Sequence, residues 1–109
     1  MEWPHYIAYF FGGAFFSNAI PHLVGGTMGE LFQSPFAKPH GLSSSTVNVV
    51  WGFFNLVIAY LLICHVGEFD LHSIVHMAIL GLGFLLMGLF SARHFGKFHG
   101  GNFPENNAR

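Results

Sequence analysis

Residues 47–66 read VNVVWGFFNLVIAYLLICHV and contain no Asp, Glu, Lys or Arg. At the 1.5 Å rise of an α-helix, a stretch of this length extends about 30 Å, the thickness of the hydrocarbon core of a bilayer. Apolar helices buried in soluble domains are usually shorter. The stretch therefore predicts a transmembrane helix.

Two further uncharged segments have spanning length. Residues 73–92 read SIVHMAILGLGFLLMGLFSA, and residues 6–24 read YIAYFFGGAFFSNAIPHLV. Pro21 removes one helical hydrogen bond from the first segment, which leaves a kinked span or a re-entrant hairpin as possibilities. Membrane helices tolerate proline when neighbouring groups satisfy the freed carbonyl. We therefore expect three spans, at about 6–24, 47–66 and 73–92.

Composition favours a lipid environment for the whole chain. The hydrophobic fraction is 52% and the charged fraction is 8%, whereas soluble domains carry about 25% charged residues. The chain has no basic patch that could neutralise a run of phosphates, so nucleic-acid binding is not expected. The lone Cys64 excludes an intrachain disulfide and is interpreted as a packing residue.

The fold class is an all-α integral membrane bundle. A single transmembrane domain is expected over residues 1–96, followed by a polar cytoplasmic tail over residues 97–109. The loop between the first two spans contains prolines, which forbid a continuous helix, and also apolar residues. We expect this loop to fold back along the membrane interface. The candidates for the N-cap of the second span are Ser44, Ser45 and Thr46.

The four cations predict the orientation. Lys38 lies in the first loop, while Arg93, Lys97 and Arg109 follow the third span. The amino terminus and the second loop contain acidic residues but no Lys or Arg. Three spans place the first loop and the carboxyl terminus on one side, so all four cations lie together. By the positive-inside rule, the amino terminus is outside and the carboxyl terminus is cytoplasmic.

Small and polar residues at helical spacing predict the faces by which the helices pack. Lipid supplies no hydrophobic drive for association, so close contacts between small residues matter. Asn18 and Asn55 are expected to point at other helices, because an amide facing lipid is costly. The expected stripes are Ala14, Asn18 and His22 on the first span; Asn48, Trp51, Gly52, Asn55 and Ala59 on the second; and Ala78, Gly81, Gly88 and Ala92 on the third.

A candidate ligand pocket is predicted at the cytoplasmic end. His22 stands at its centre because it follows Pro21 and shares a helix face with Asn18. Such a pocket would suit a lipid headgroup, a quinone or a small anion. The alternative is a polar knot that holds the kinked first helix in place. The candidate residues are Asn18, His22, His40, Asn48, Trp51 and Arg93.

A second group of polar residues lies at the outer end. The chain has eight histidines but only four Lys and Arg residues. Two of the histidines, His72 and His76, are four residues apart and share a helix face. Imidazole and carboxylate groups suit zinc, copper, nickel or iron. The alternative is that these histidines anchor the helices at headgroup depth. The candidate metal ligands are His65, Glu68, His72 and His76.

The sequence contains no hydrolase or phosphate-binding signature, and it identifies no particular cofactor. We therefore predict a non-enzymatic membrane protein that acts as an interaction or accessory subunit. Other membrane proteins, or further copies of the chain, would be its partners besides the lipid bilayer. The alternative is a membrane protein that binds a metal, haem or lipophilic cofactor through histidines.

Several short motifs resemble those of a family of small bacterial integral membrane proteins of unknown function. They are Asn18–Ala19–Ile20–Pro21–His22, Pro35–Phe36–Ala37, Asn48 with Trp51–Gly52, and Asn55–Leu56, together with the tail sequence HFGKFHGGN. The resemblance covers about two thirds of the chain. It implies a bacterial inner membrane, but it implies no activity and no catalytic residue.

Overall fold

The computed structural model describes residues 3–30, 32–33 and 42–99, and consists of three helices and a pair of two-residue strands. Helix α1 spans Trp3–Thr27, α2 spans Ser45–Cys64 and α3 spans Ile74–His99, with β1 at Phe32–Gln33 and β2 at Leu42–Ser43. All three helices are long and apolar enough to cross a membrane. The expected all-α fold, with three helices long and apolar enough to span a membrane, is therefore confirmed.

Helix α1 lies in the middle. It packs against both α2 and α3, while the described residues of α2 and α3 hardly touch each other. Accordingly, α1 is the most buried of the three helices and α3 the least. Its exposed side chains form two separate stripes, Ile7 with Phe11 and Phe16 with Ile20 and Val24. The helices therefore form one layer, in which α1 keeps a narrow surface on each side.

Glycine allows the close approach of α1 to its neighbours. A Cβ atom at Gly52 of α2 would lie 2.9 Å from the backbone nitrogen of Leu23. On the other side, a Cβ at Gly83 of α3 would collide with the carbonyl group of Phe10. Real Cβ atoms do not approach backbone atoms so closely, so both contacts require glycine. Van der Waals packing of this kind is one of the forces that hold helices together in lipid.

The predicted packing face of α2 is confirmed. Its buried residues are Asn48, Gly52, Asn55 and Ala59, and Trp51 beside them is half-buried. The stripe predicted on α3 is wrong. Ala78, Gly81 and Ala92 are exposed and only Gly88 is partly covered, because α3 uses Gly83 and not this stripe to contact α1.

Local signals fix the ends of the helices that flank the first loop. Gly29, at a φ of 76°, ends α1 in a Schellman motif: its N–H donates to Gly26 O, and the N–H of Glu30 donates to Gly25 O, both at 3.0 Å. Ser44 caps α2, since its side chain accepts from the Val47 N–H at 3.2 Å. This identifies Ser44 among the predicted N-cap residues.

The three helices extend beyond most of their predicted limits. Pro21 lies inside a continuous α1 and does not end it. Helix α3 continues to His99, so residues 97–99, which were assigned to the tail, have helical backbone. Between α1 and α2, the chain pairs β1 with β2 in antiparallel register, Phe32 opposite Ser43 and Gln33 opposite Leu42. Strand β1 lies against α1 and α2, so this described part of the first loop folds back onto the helices.

Candidate functional site

A buried polar cluster joins the end of α1 to the start of α2. His22 is 2% exposed and Asn48 is 0% exposed, and 2.7 Å separates His22 Nδ1 from Asn48 Oδ1. Asn48 Nδ2 donates to the carbonyl oxygens of Ser43, at 3.2 Å, and Ser44, at 3.0 Å. We call these four residues the His22–Asn48 cluster.

The arrangement of Asn48 determines the tautomer of His22. Both protons of the Asn48 amide are directed at backbone carbonyls, so Oδ1 is the atom that meets the imidazole. An amide oxygen can only accept, and therefore His22 Nδ1 carries the proton in this bond. The opposite amide orientation would place Oδ1 against two carbonyl oxygens, which repel it.

Aromatic rings from two helices surround the imidazole. The centroid of the Trp51 ring in α2 lies 6.4 Å from that of His22, and the centroid of Phe95 in α3 lies 5.9 Å away, both with edge-to-face geometry. His22 therefore contacts a residue of each of the other two helices. These contacts fix the ring between an amide partner and apolar walls.

A second polar contact lies one helical turn away from the first. Asn18 Nδ2 donates to Asn55 Oδ1 at 3.1 Å, and Asn55 Nδ2 donates to the Trp51 carbonyl of its own helix at 2.8 Å. This confirms the prediction that Asn18 and Asn55 point at other helices and identifies each as the partner of the other. The two polar contacts together join α1 to α2 along the stripe that the asparagine spacing indicated.

The structure brings together four of the six residues predicted for the pocket: Asn18, His22, Asn48 and Trp51. Arg93 is exposed, and Phe95 takes the place expected for it beside His22. His40 lies outside the described residues. The polar groups that remain are amides, an imidazole and backbone carbonyls, which can hold helices together and orient a ring.

The outer histidines have other partners. The backbone N–H of Asp70 donates to His76 Nδ1 at 3.0 Å, and 3.0 Å separates His65 Nε2 from the hydroxyl of Tyr60. His72 and Glu68 are exposed. Over the described ranges, no three His, Cys, Asp or Glu residues are close enough to hold a metal ion. The outer metal site stays a prediction without support from this geometry.

An aromatic cluster at this end was missed by the sequence analysis. Tyr9 is 1% exposed, and its ring centroid lies 5.0 Å from that of Phe69 and 4.9 Å from that of His76. Through this cluster, the loop between α2 and α3 packs against α1. Helical spacing could not reveal it, because Phe69 belongs to an irregular loop whose path the sequence does not define.

No family model, no curated protein and no solved structure matches this chain.

Proposed function

We propose that this protein is a non-enzymatic integral membrane subunit that binds another membrane helix through the outer face of α3. The partner is a second copy of the chain or another membrane protein. The proposal includes a bacterial inner membrane, with the amino terminus outside and the carboxyl terminus in the cytoplasm. The resemblance to small bacterial membrane proteins supports the bacterial inner membrane, and the distribution of the four cations supports the orientation.

The observation that carries this proposal is a stripe of small residues on α3 that no other described part of the chain covers. Ala78 and Gly81 are exposed, and a Cβ placed at Gly81 would meet no atom of the described residues within 4 Å. Elsewhere in the layer, glycines such as Gly52 and Gly83 lie where two helices touch. Small residues at three- and four-residue steps are typical of helix interfaces in membranes. The stripe therefore suits a partner helix better than it suits lipid.

The His22–Asn48 cluster supports a structural role and not a catalytic one. Its imidazole and amide are buried and hydrogen-bonded to each other. Buried hydrogen bonds between side chains of two helices specify how those helices meet. We assign it the function of fixing α1 on α2, so that α3 is presented at the opposite edge of the layer.

Single-cysteine cross-linking in native membranes tests the proposal. In a Cys64→Ser background, Ala78→Cys should form a cross-linked product at the mass of a dimer or of a complex with another protein. Adding Gly81→Leu should reduce that product severalfold, because the leucine side chain blocks close approach on the stripe. The matched control, Leu82→Phe, adds volume at an exposed residue beside the stripe and should leave the product unchanged.

The proposal fails if Ala78→Cys yields no cross-link and reacts with a membrane-permeant maleimide as fast as a cysteine at position 82. Metal analysis and an absorption spectrum of the purified protein separately test the alternative of a metal or haem protein. Stoichiometric metal or a Soret band would favour that alternative over the interaction subunit.

A further inference from the structure

A groove of about 380 Å³ runs between α1 and α3, on the side of the layer where Phe11 is exposed. Gly83 lies at its floor, where the backbones of the two helices meet. This volume is within the range of small-molecule sites, which is about 300–1,000 Å³. Its walls include four aromatic rings and a thioether: Phe10, Phe11, Phe15, Phe90 and Met87.

One polar side chain lines this otherwise apolar groove. Asn18 is half-buried, and its hydrogen bond within the described residues is the one from Nδ2 to Asn55 Oδ1. The oxygen of the Asn18 amide is therefore an acceptor that receives no donor from those residues. Asn18 follows Trp3 by about 22 Å and precedes Thr27 by about 14 Å along the helix, so this oxygen lies within the hydrocarbon depth of the membrane.

An acyl chain cannot satisfy this oxygen, because it carries no hydrogen-bond donor. A hydroxyl group can do so, and the bond is strong where water is absent. Aromatic walls favour an aromatic body, since rings pack edge-to-face or offset against phenylalanine. The ring centroids of Phe10 and Phe11 already lie 5.3 Å apart at 82°, so the wall offers both a ring face and a ring edge.

We propose that the groove between α1 and α3 binds a lipophilic phenol, whose ring lies among the phenylalanines and whose hydroxyl donates a hydrogen bond to Asn18 Oδ1. The groove is distinct from the stripe of small residues on α3, because it lies on the side of that helix that faces α1. The occupant enters from the lipid, and its alkyl substituent extends along the groove. Binding here goes beyond the proposed interaction function and does not depend on it.

Photolabelling in vesicles of phosphatidylcholine tests this site. The probe is an alkylphenol with a diazirine on its chain. The competitors are 4-nonylphenol and its methyl ether, 4-nonylanisole, which has no hydrogen-bond donor. Labelled peptides should map to both walls, at 10–18 and 83–90. The phenol should compete about tenfold better than the anisole, which is the ratio that one hydrogen bond of typical strength provides.

Two kinds of variant make the result specific to the groove. Asn18→Leu should remove the advantage of the phenol over the anisole. Because this change also breaks the contact with Asn55, two tryptophan variants that leave Asn18 in place are also needed. Leu86→Trp fills the groove, whereas Leu85→Trp places the same ring on exposed surface outside it. Labelling should be lost in the first and kept in the second.

The proposal is overturned if phenol and anisole compete equally, or if label is spread evenly around α3, since the groove would then hold ordinary lipid. It is also overturned if a second copy fills the groove. In that case Phe11→Cys, in a Cys64→Ser background, would form a disulfide-linked dimer in membranes and the alkylphenol would not label the walls.

Discussion

Asn48 and His22 show how much one amide can determine in an apolar environment. Asn48 uses both protons of its amide on the turn that opens α2, and its oxygen on the imidazole of α1. It therefore connects the start of one helix to the end of another. In lipid, where water cannot replace a lost partner, each of these groups costs free energy when it is left unpaired.

A first prediction compares His22 with Arg93. His22→Ala leaves Asn48 Oδ1 without its donor in a buried position, so the free energy of unfolding should fall by about 2 kcal/mol. Arg93→Ala should change it by less than about 0.5 kcal/mol, because Arg93 is exposed. Thermal unfolding in mild detergent measures both changes. Equal losses for the two variants would show that Arg93 contacts the cluster after all.

A second prediction concerns the pair of Asn18 and Asn55. In a double-mutant cycle with leucine at each position, we expect a coupling of about 0.6 kcal/mol, the average for hydrogen bonds between membrane helices. The coupling is small because the Asn55 amide also donates to the Trp51 carbonyl and keeps that bond when Asn18 is replaced. The cycle is measured by steric trapping or by denaturation in detergent. A coupling near zero would remove Asn18 from the α1–α2 contact.

The elements differ in how well the sequence predicts their packing. On α2, two asparagines at three- and four-residue steps from a glycine and an alanine mark the buried face, since amides avoid lipid. On α3, apolar residues occur all around the helix. A stripe of alanine and glycine at helical spacing could therefore face α1 or face away from it. The contact at Gly83 depends on where α1 lies, and the sequence of α3 alone does not indicate that.

Arg93 illustrates a related limit at the level of elements. Arg93 was predicted to line the pocket on the expectation that the third span ends near residue 92. The helix instead continues to His99. Within a continuous helix, Arg93 and Phe95 are separated by about 200° around the axis. When Phe95 faces α1, Arg93 must point away from it. The sequence places the histidine and asparagine of the site correctly because both lie close to helix ends, which Gly29 and Ser44 define.

A third prediction concerns the end of α1. Gly29 has a φ of 76°, which side chains other than glycine adopt at a cost of about 1 kcal/mol. Gly29→Ala should therefore lower the free energy of unfolding by about that amount, although a Cβ there would meet no other atom. Gly81→Ala is the matched control, because its Cβ also meets nothing and its helical backbone favours alanine. If the control lost as much stability, backbone strain would not be the cause.

On the scale of the whole molecule, the chain is a layer with α1 in the centre and not a closed bundle. A closed three-helix bundle would bring α2 and α3 together, and the described residues of these helices hardly meet. Among the described residues, this leaves a groove on one side of α1 and an uncovered face on α3. Both proposals above depend on this open arrangement. The sequence predicted three helices correctly but could not predict their order in space, because uncharged helices differ little in which neighbours they can accept.

The central claim is that three helices cross the membrane, which requires the two ends of the chain to lie on opposite sides. Fusions of alkaline phosphatase and of a fluorescent protein to each terminus, expressed in a bacterium, measure this most directly. We predict phosphatase activity at the amino terminus and fluorescence at the carboxyl terminus. The reverse pattern would keep three spans and overturn the proposed orientation. The same reporter active at both ends would contradict the three-span account itself.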